Sequence, residues 1–218
     1  MIELLLDHAG GRPLRVVLLG AHPDDIEIGA GGTLLTLAET RPGLVVHYQV
    51  MTGTAGRHEE ARAAATAFLP GARVTLRLLD LPDGRLPAAW SSVKDSLEEV
   101  AATMTPDLVI APSPMDAHQD HRTVGELVAT VFRNSLCLAY EIPKWDGDLG
   151  AVRPSLYLPM SSEVARRKVE LLSACFPSQK SRDWWDDEVF LGLARLRGME
   201  SRTRYAEAFT CTKAVLRC

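Results

Sequence analysis

The chain has 218 residues, 46% of them hydrophobic and 24% charged. That size and balance suit one medium domain, residues 1–218, and exclude a disordered or collagen-like chain. Lys and Arg number 24 against 28 Asp and Glu, a net charge of −4, which excludes the basic footprint of sequence-independent nucleic-acid binding.

In chain order, residues 1–7 hold an apolar run too short for a signal peptide and no basic leader, so a cytoplasmic protein is expected. Residues 14–19 read as a buried strand and 31–39 as a helix. A strand at 44–50, a helix at 58–68 and a strand at 73–79 follow. A helix at 90–104, a strand at 107–111, a helix at 123–132 and a fifth strand at 136–142 continue the pattern. Residues 143–154 read as a loop, and 161–174 and 184–197 as helices. Strand–helix alternation of this length predicts an α/β, Rossmann-like, mostly parallel sheet with helices on both faces. No apolar stretch approaches the ~20 residues of a membrane span. Cys137, Cys175, Cys211 and Cys218 show no Cys-x-x-Cys spacing and read as free thiols in a reducing compartment.

A doubly wound sheet binds ligands at the carboxyl ends of its strands, where the strand order reverses. In the common order that point lies beside strands one and four. Strand one runs into Gly20-Ala21-His22-Pro23-Asp24-Asp25, and strand four into Pro112-Ser-Pro-Met-Asp116-Ala-His118-Gln-Asp120-His121. Any one of these residues is ordinarily a loop or capping residue. Three of the six histidines with four aspartates in two neighbouring loops form a metal-binding set. Two histidines and one aspartate complete a three-ligand catalytic site, leaving the others for acid–base work.

The segment Ala21-His22-Pro23-Asp24-Asp25-Ile26-Glu27-Ile28-Gly29-Ala30-Gly31-Gly32-Thr33-Leu34 resembles the first signature of the LmbE-like, or PIG-L, family of zinc-dependent de-N-acetylases. His118-Gln119-Asp120-His121 resembles its second. The family commonly places a glutamate directly after the two aspartates; here Ile26 stands there and Glu27 follows. The resemblance implies hydrolysis of the acetamide of an N-acetylglucosaminyl-type substrate, with Zn²⁺ as cofactor. It implies His22, Asp25 and His121 as metal ligands and Asp24 as general base toward the metal-activated water. It implies His118 as the group that stabilises the oxyanion or protonates the leaving amine, and Asp120 as the residue orienting a histidine. A small amino-sugar substrate and a homo-oligomer are the partners it implies.

Arg57 and Glu60, after strand two, match an Arg-x-x-Glu that the family often carries; this makes Arg57 a substrate-binding candidate, against a plain one-turn ion pair. Asp83, in Asp80-Leu-Pro-Asp83-Gly84, resembles the family's sugar-binding aspartate, against a Pro-Asp-Gly turn. Trp145 could stack on a sugar or pack in the core. Trp184 and Trp185 read as core or interface on a helix, His47 as structural, and the 205–209 segment as packing near the site. His8 and His58 have no partners in sequence. No Gly-x-Gly-x-x-Gly follows strand one, and Gly-x-x-x-x-Gly-Lys and Gly-x-Ser-x-Gly are missing, which removes dinucleotide, P-loop and serine-hydrolase readings. An amidase for another amide, a phosphoesterase and a non-catalytic scaffold are the competitors. The same donors also accept iron, manganese or cobalt.

Overall fold

The computed structural model of the chain describes residues 3–6, 11–143 and 153–215. Strand β1 (Arg15–Gly20) is apolar at nearly every position. Val16 and Leu18 enter one hydrophobic cluster, and Val17 and Leu19 a second on the opposite face. That is the pattern of a strand covered on both sides. The strands β2 (Val45–Thr52), β3 (Arg73–Leu81), β4 (Leu108–Pro112) and β5 (Leu136–Tyr140) extend a parallel sheet around it. β6 (Leu156–Met160) and β7 (Tyr205–Thr210) close the other edge, giving the order β3-β2-β1-β4-β5-β7-β6.

Helices α1 (Asp25–Thr40), α2 (Ala55–Phe68) and α5 (Ser162–Cys175) cover one face through Ile28, Leu34, Phe68, Val169 and Leu172. α3 (Trp90–Thr103) and α4 (Gln119–Val131) cover the other through Val93, Leu97, Val124 and Leu127. α6 (Asp187–Ser201) packs beside β7. The mostly parallel, two-faced sheet agrees with the sequence expectation, and the order reverses between β1 and β4. Among the described residues no helix is long and apolar enough to cross a membrane. Cys137, Cys175 and Cys211 are free thiols.

Four features differ from the sequence reading or add to it. α1 starts at Asp25 rather than residue 31, so Gly29, Gly31 and Gly32 lie inside the helix. Glycine is a poor helix former, but packing overrides propensity here. A Cβ on Gly29 would stand 2.5 Å from the Tyr140 ring, and one on Gly32 1.9 Å from Met160 Sδ. Second, β6 and β7 were not expected as strands; β7 pairs antiparallel with both β5 and β6. Third, the 205–209 segment meets α1: Glu207 accepts the N–H groups of Gly32 (2.8 Å) and Thr33 (2.7 Å) and binds Lys168 Nζ at 2.7 Å. Fourth, Trp184 and Trp185 precede α6, and the Trp185 ring packs edge-on against Phe176 and Phe190.

Candidate metal centre

Both loops leave the carboxyl ends of β1 and β4. After β1 the chain turns sharply into α1 at Asp24, whose φ of 106° and ψ of −26° lie in left-handed space, a region that non-glycine residues rarely occupy. Asp25 N–H donates to the His22 carbonyl (3.3 Å), and His22 N–H donates to Asp25 Oδ2 (2.8 Å). Asp24 and Asp25 thus lie in a tight turn. The two carboxylates diverge because Asp24 reverses the chain and Asp25 opens the helix. After β4, Asp116 Oδ1 accepts His118 N–H at 2.8 Å, and Arg122 donates to the carbonyls of Asp116 and Ala117. α4 then begins at Gln119, with Asp120 and His121 fully buried on its first turn.

Three donor atoms meet between the loops. His22 Nδ1 lies 3.2 Å from His121 Nε2. Asp25 Oδ2 lies 3.4 Å from His22 Nδ1 and 3.2 Å from His121 Nε2. Ligand atoms bound tetrahedrally at about 2.0–2.1 Å sit about 3.3–3.4 Å apart. The triangle therefore has the size and the donor types that a first-row divalent ion requires.

The second nitrogen of each histidine faces a carboxylate, the arrangement that orients metal-binding imidazoles. His121 Nδ1 lies 3.0 Å from Asp116 Oδ2. His22 Nε2 lies 3.3 Å from Asp120 Oδ2 and 3.0 Å from Asp83 Oδ1. Burial pushes the His22 imidazole down, but Asp25, Asp120 and Asp83 together carry it well above its ordinary value. The field that draws a proton onto His22 also favours a cation. Asp120 and Asp116 go the other way: burial pushes both up, and His22 with two backbone N–H groups, or His121, brings each below the usual carboxylate range.

His22, Asp83 and Asp120 also lie close enough to share an ion. That group is the weaker one. Asp120 already accepts N–H bonds from Gly84 (2.7 Å) and Leu86 (3.0 Å), and the Asp83 side chain is 76% exposed. Asp120 is a hinge between the two sides of the site: it aligns His22 and holds the turn after β3.

The ring of His118 lies 4.8 Å from that of His22 and 4.9 Å from that of His121. Its Nδ1 accepts the Asp120 N–H at 3.2 Å and caps α4. That bond occupies the Nδ1 lone pair and leaves the proton of the neutral ring on Nε2. His118 is thereby set up to donate a hydrogen bond, and a ligand role at Nε2 would require the other tautomer. Arg57, half-buried beside Asp24, donates to the Pro23 carbonyl, to Asp24 Oδ2 (2.8 Å), to Glu60 Oε2 (2.5 Å) and to Ser178 Oγ (3.1 Å).

Sequence reasoning placed Asp116 in the second loop without giving it a task. The need of a metal-bound histidine for an acceptor on its second nitrogen is the signal that would have found it. Glu27 proves to be buried within α1, with Tyr48 Oη donating to its Oε1 at 2.9 Å; burial pushes its carboxyl up to about 8. His58 Nε2 lies 3.1 Å from the Leu79 carbonyl, and His47 lies beside Gln49. Trp145, His8 and Cys218 lie outside the described residues.

A family model described as GlcNAc-PI de-N-acetylase, PIG-L, matches residues 17–132. The chain is 31% identical over 161 residues to the uncharacterized deacetylase YaiS of Escherichia coli K12, covering 68% of this chain and 79% of that protein. It is 29% identical over 221 aligned residues to a diacetylchitobiose deacetylase of Thermococcus kodakarensis, covering 88% of this chain and 81% of that one. Among solved structures, the 4-carboxy-2-hydroxymuconate hydratase GalB of Pseudomonas putida KT2440 superposes with a TM-score of 0.73 at 20% identity, covering 94% of this chain and 98% of its own. Likeness at that identity speaks for the fold and not for the reaction. The matched segment begins in β1 and ends just past α4, so it contains both loops of the candidate metal centre, and the chain belongs to the PIG-L family.

Proposed function

We propose that the chain is a zinc-dependent N-deacetylase that removes the acetyl group from an N-acetylated amino sugar. The observation that carries this reading is the triangle of His22 Nδ1, Asp25 Oδ2 and His121 Nε2, with sides of 3.2–3.4 Å, at the β1–β4 switch point. Family membership and the deacetylase names of the two sequence relatives support amide hydrolysis over other reactions on this fold.

His22, Asp25 and His121 hold the ion. When bound, such an ion supplies Lewis-acid polarisation and makes water available as a nucleophile near neutral pH. Asp24 accepts the proton of the attacking water as its oxygen adds to the acetamide carbonyl carbon. His118 donates a hydrogen bond from Nε2–H to the carbonyl oxygen as it becomes negative, and Asp24 passes the proton it took from water to the leaving nitrogen. The C–N bond breaks, the nitrogen gains a proton, and acetate and a free amino sugar leave. Asp120 and Asp116 keep the two ligand imidazoles aligned. Asp83, exposed at the rim, accepts a hydrogen bond from a sugar hydroxyl.

The test is acetate release from N-acetylglucosamine, N,N'-diacetylchitobiose and lipid- and nucleotide-linked N-acetylglucosaminyl compounds, with metal content measured in parallel. The expected result is one divalent ion per chain and metal-dependent acetate release from at least one compound. Metal-loaded protein that releases no acetate from any of them overturns the substrate assignment. Turnover unchanged by chelation overturns the mechanism.

A further inference from the structure

Asp24 is one of only two non-glycine residues with positive φ among the described residues. Such a conformation is strained and persists where the surroundings over-determine it. The surroundings here centre on one side chain. Arg57, the third residue of α2, donates from a single terminal nitrogen to the carbonyl of Pro23 and to Asp24 Oδ2, 2.8 Å away. It therefore grips the backbone just before the left-handed residue and that residue's own carboxylate.

Arg57 is itself held from behind. Its other terminal nitrogen donates to Glu60 Oε2 at 2.5 Å and Ser178 Oγ at 3.1 Å. Glu60 in turn accepts Ser178 N–H at 2.8 Å on Oε1 and Ser178 Oγ–H at 2.7 Å on Oε2. Ser178 belongs to the short turn Pro177–Gln179 after α5. The preceding residue, Phe176, is fully buried and lies under the guanidinium, 5.7 Å from ring centroid to Cζ. Both terminal nitrogens are thus committed to protein groups.

From this chain of contacts we infer that Arg57, braced by Glu60 and Ser178, is a positioning residue that holds Pro23–Asp24 in the left-handed turn and so aims the Asp24 carboxylate for proton transfer. It acts through Asp24 rather than on the substrate. The inference rests on the deacetylase reading for its kinetic test but not for its structural one. The planar guanidinium grips Pro23–Asp24 with one terminal nitrogen and Glu60 and Ser178 with the other, a division lysine cannot reproduce because its ammonium is a single point charge without the fork.

The experiment compares metal-loaded wild type with Arg57→Lys, Glu60→Gln, Ser178→Ala and the Arg57→Lys/Glu60→Gln double variant, following kcat, KM, metal content and melting temperature. Misplacement of a reacting group by about an ångström costs about a hundredfold, so Arg57→Lys is expected to lower kcat about a hundredfold, with KM within about twofold and metal content unchanged. Glu60→Gln is expected to lower kcat about tenfold, and the double variant to lose no more than Arg57→Lys alone, as members of one network do. A raised KM with kcat retained overturns the inference and makes Arg57 a substrate contact. Additive losses overturn the brace. Should Arg57→Lys not fold, Ser178→Ala decides: a fall in kcat at constant KM supports the brace, and wild-type kcat overturns it. Should wild type release no acetate from any N-acetylated sugar, the proposed function fails. The clamp then stands or falls on the crystal structure of the lysine variant, where Asp24 retained at its positive φ overturns it.

Discussion

Asp116 sits opposite the metal triangle on His121: its Oδ2 lies 3.0 Å from His121 Nδ1, while His121 Nε2 lies 3.2 Å from Asp25 Oδ2. The imidazole is a bridge between the two loops, and the facing carboxylate favours the tautomer with the proton on Nδ1 and the lone pair on Nε2. Carboxylates in this position typically contribute 10- to 100-fold to metal affinity. Asp116→Asn is expected to weaken zinc binding about tenfold, because the amide oxygen still accepts the proton but without charge. Asp116→Ala is expected to weaken it about a hundredfold. Chelator competition reads both, and unchanged affinity in the alanine variant would remove Asp116 from the site.

The tautomer of His118 separates ligand from acid. With Nδ1 accepting the Asp120 N–H at 3.2 Å, His118→Ala is expected to keep its metal and lose about 10²- to 10³-fold in kcat, as the loss of an oxyanion donor does. His121→Ala is expected to lose the metal itself. Asp24→Asn is expected to keep the metal and lose about 10²- to 10⁴-fold in kcat, the usual contribution of a general base. Metal analysis beside acetate release separates the three. A His118→Ala protein purified without metal would make His118 a ligand.

Much of this was legible in the chain. Val16, Val17, Leu18 and Leu19 announce a strand buried on both faces, and His22 and His121 stand one loop beyond buried strands, where an α/β sheet places its ligands. What was hidden depended on partners distant in sequence. The start of α1 was obscured because Gly29 and Gly32 lower helix propensity, and only Tyr140 and Met160 explain why glycine is needed. β7 is a strand because β5 and β6 flank it, not because its sequence is unusual. Arg57 paired with Glu60, as an Arg-x-x-Glu spacing allows, but its grip on Asp24 spans 33 residues and is set by β2 lying next to β1.

His47 gives a pH signature away from the metal centre. Burial pushes its imidazole below the ordinary value; a hydrogen bond with Gln49 opposes this, and nearby Arg77 adds to it. A histidine with a depressed pKa in the folded state binds fewer protons folded than unfolded. Its contribution to stability is therefore present above about pH 6.5, the unfolded value, and is lost as pH falls through the folded pKa. Between about pH 7 and 5.5 the stability of His47→Gln is expected to change more favourably than that of wild type; Glu27 and His22, both raised in the folded state, act in the opposite direction and are common to the two proteins. Denaturant midpoints at the two pH values measure this, and parallel changes in the two proteins would show that His47 does not titrate on unfolding.

Two glycines in helices are expected to respond to alanine with opposite signs. Gly125 lies in α4, where an added Cβ would stand 2.6 Å from the Pro112 carbonyl oxygen and 2.6 Å from Pro114 N. Those are backbone atoms at the root of the loop that carries Asp116 and His118, so relief must come from moving the loop or the helix. Overpacking of this kind costs about 1–3 kcal/mol. Gly192 lies in α6 with open space around its Cβ position, and alanine there stabilises by about 0.5–1 kcal/mol through helix propensity alone. Urea unfolding of the two variants measures both. Gly125→Ala should also weaken metal binding, since the loop it displaces positions Asp116 behind His121. A Gly125→Ala protein with wild-type stability and metal affinity would show that this loop yields without disturbing the site.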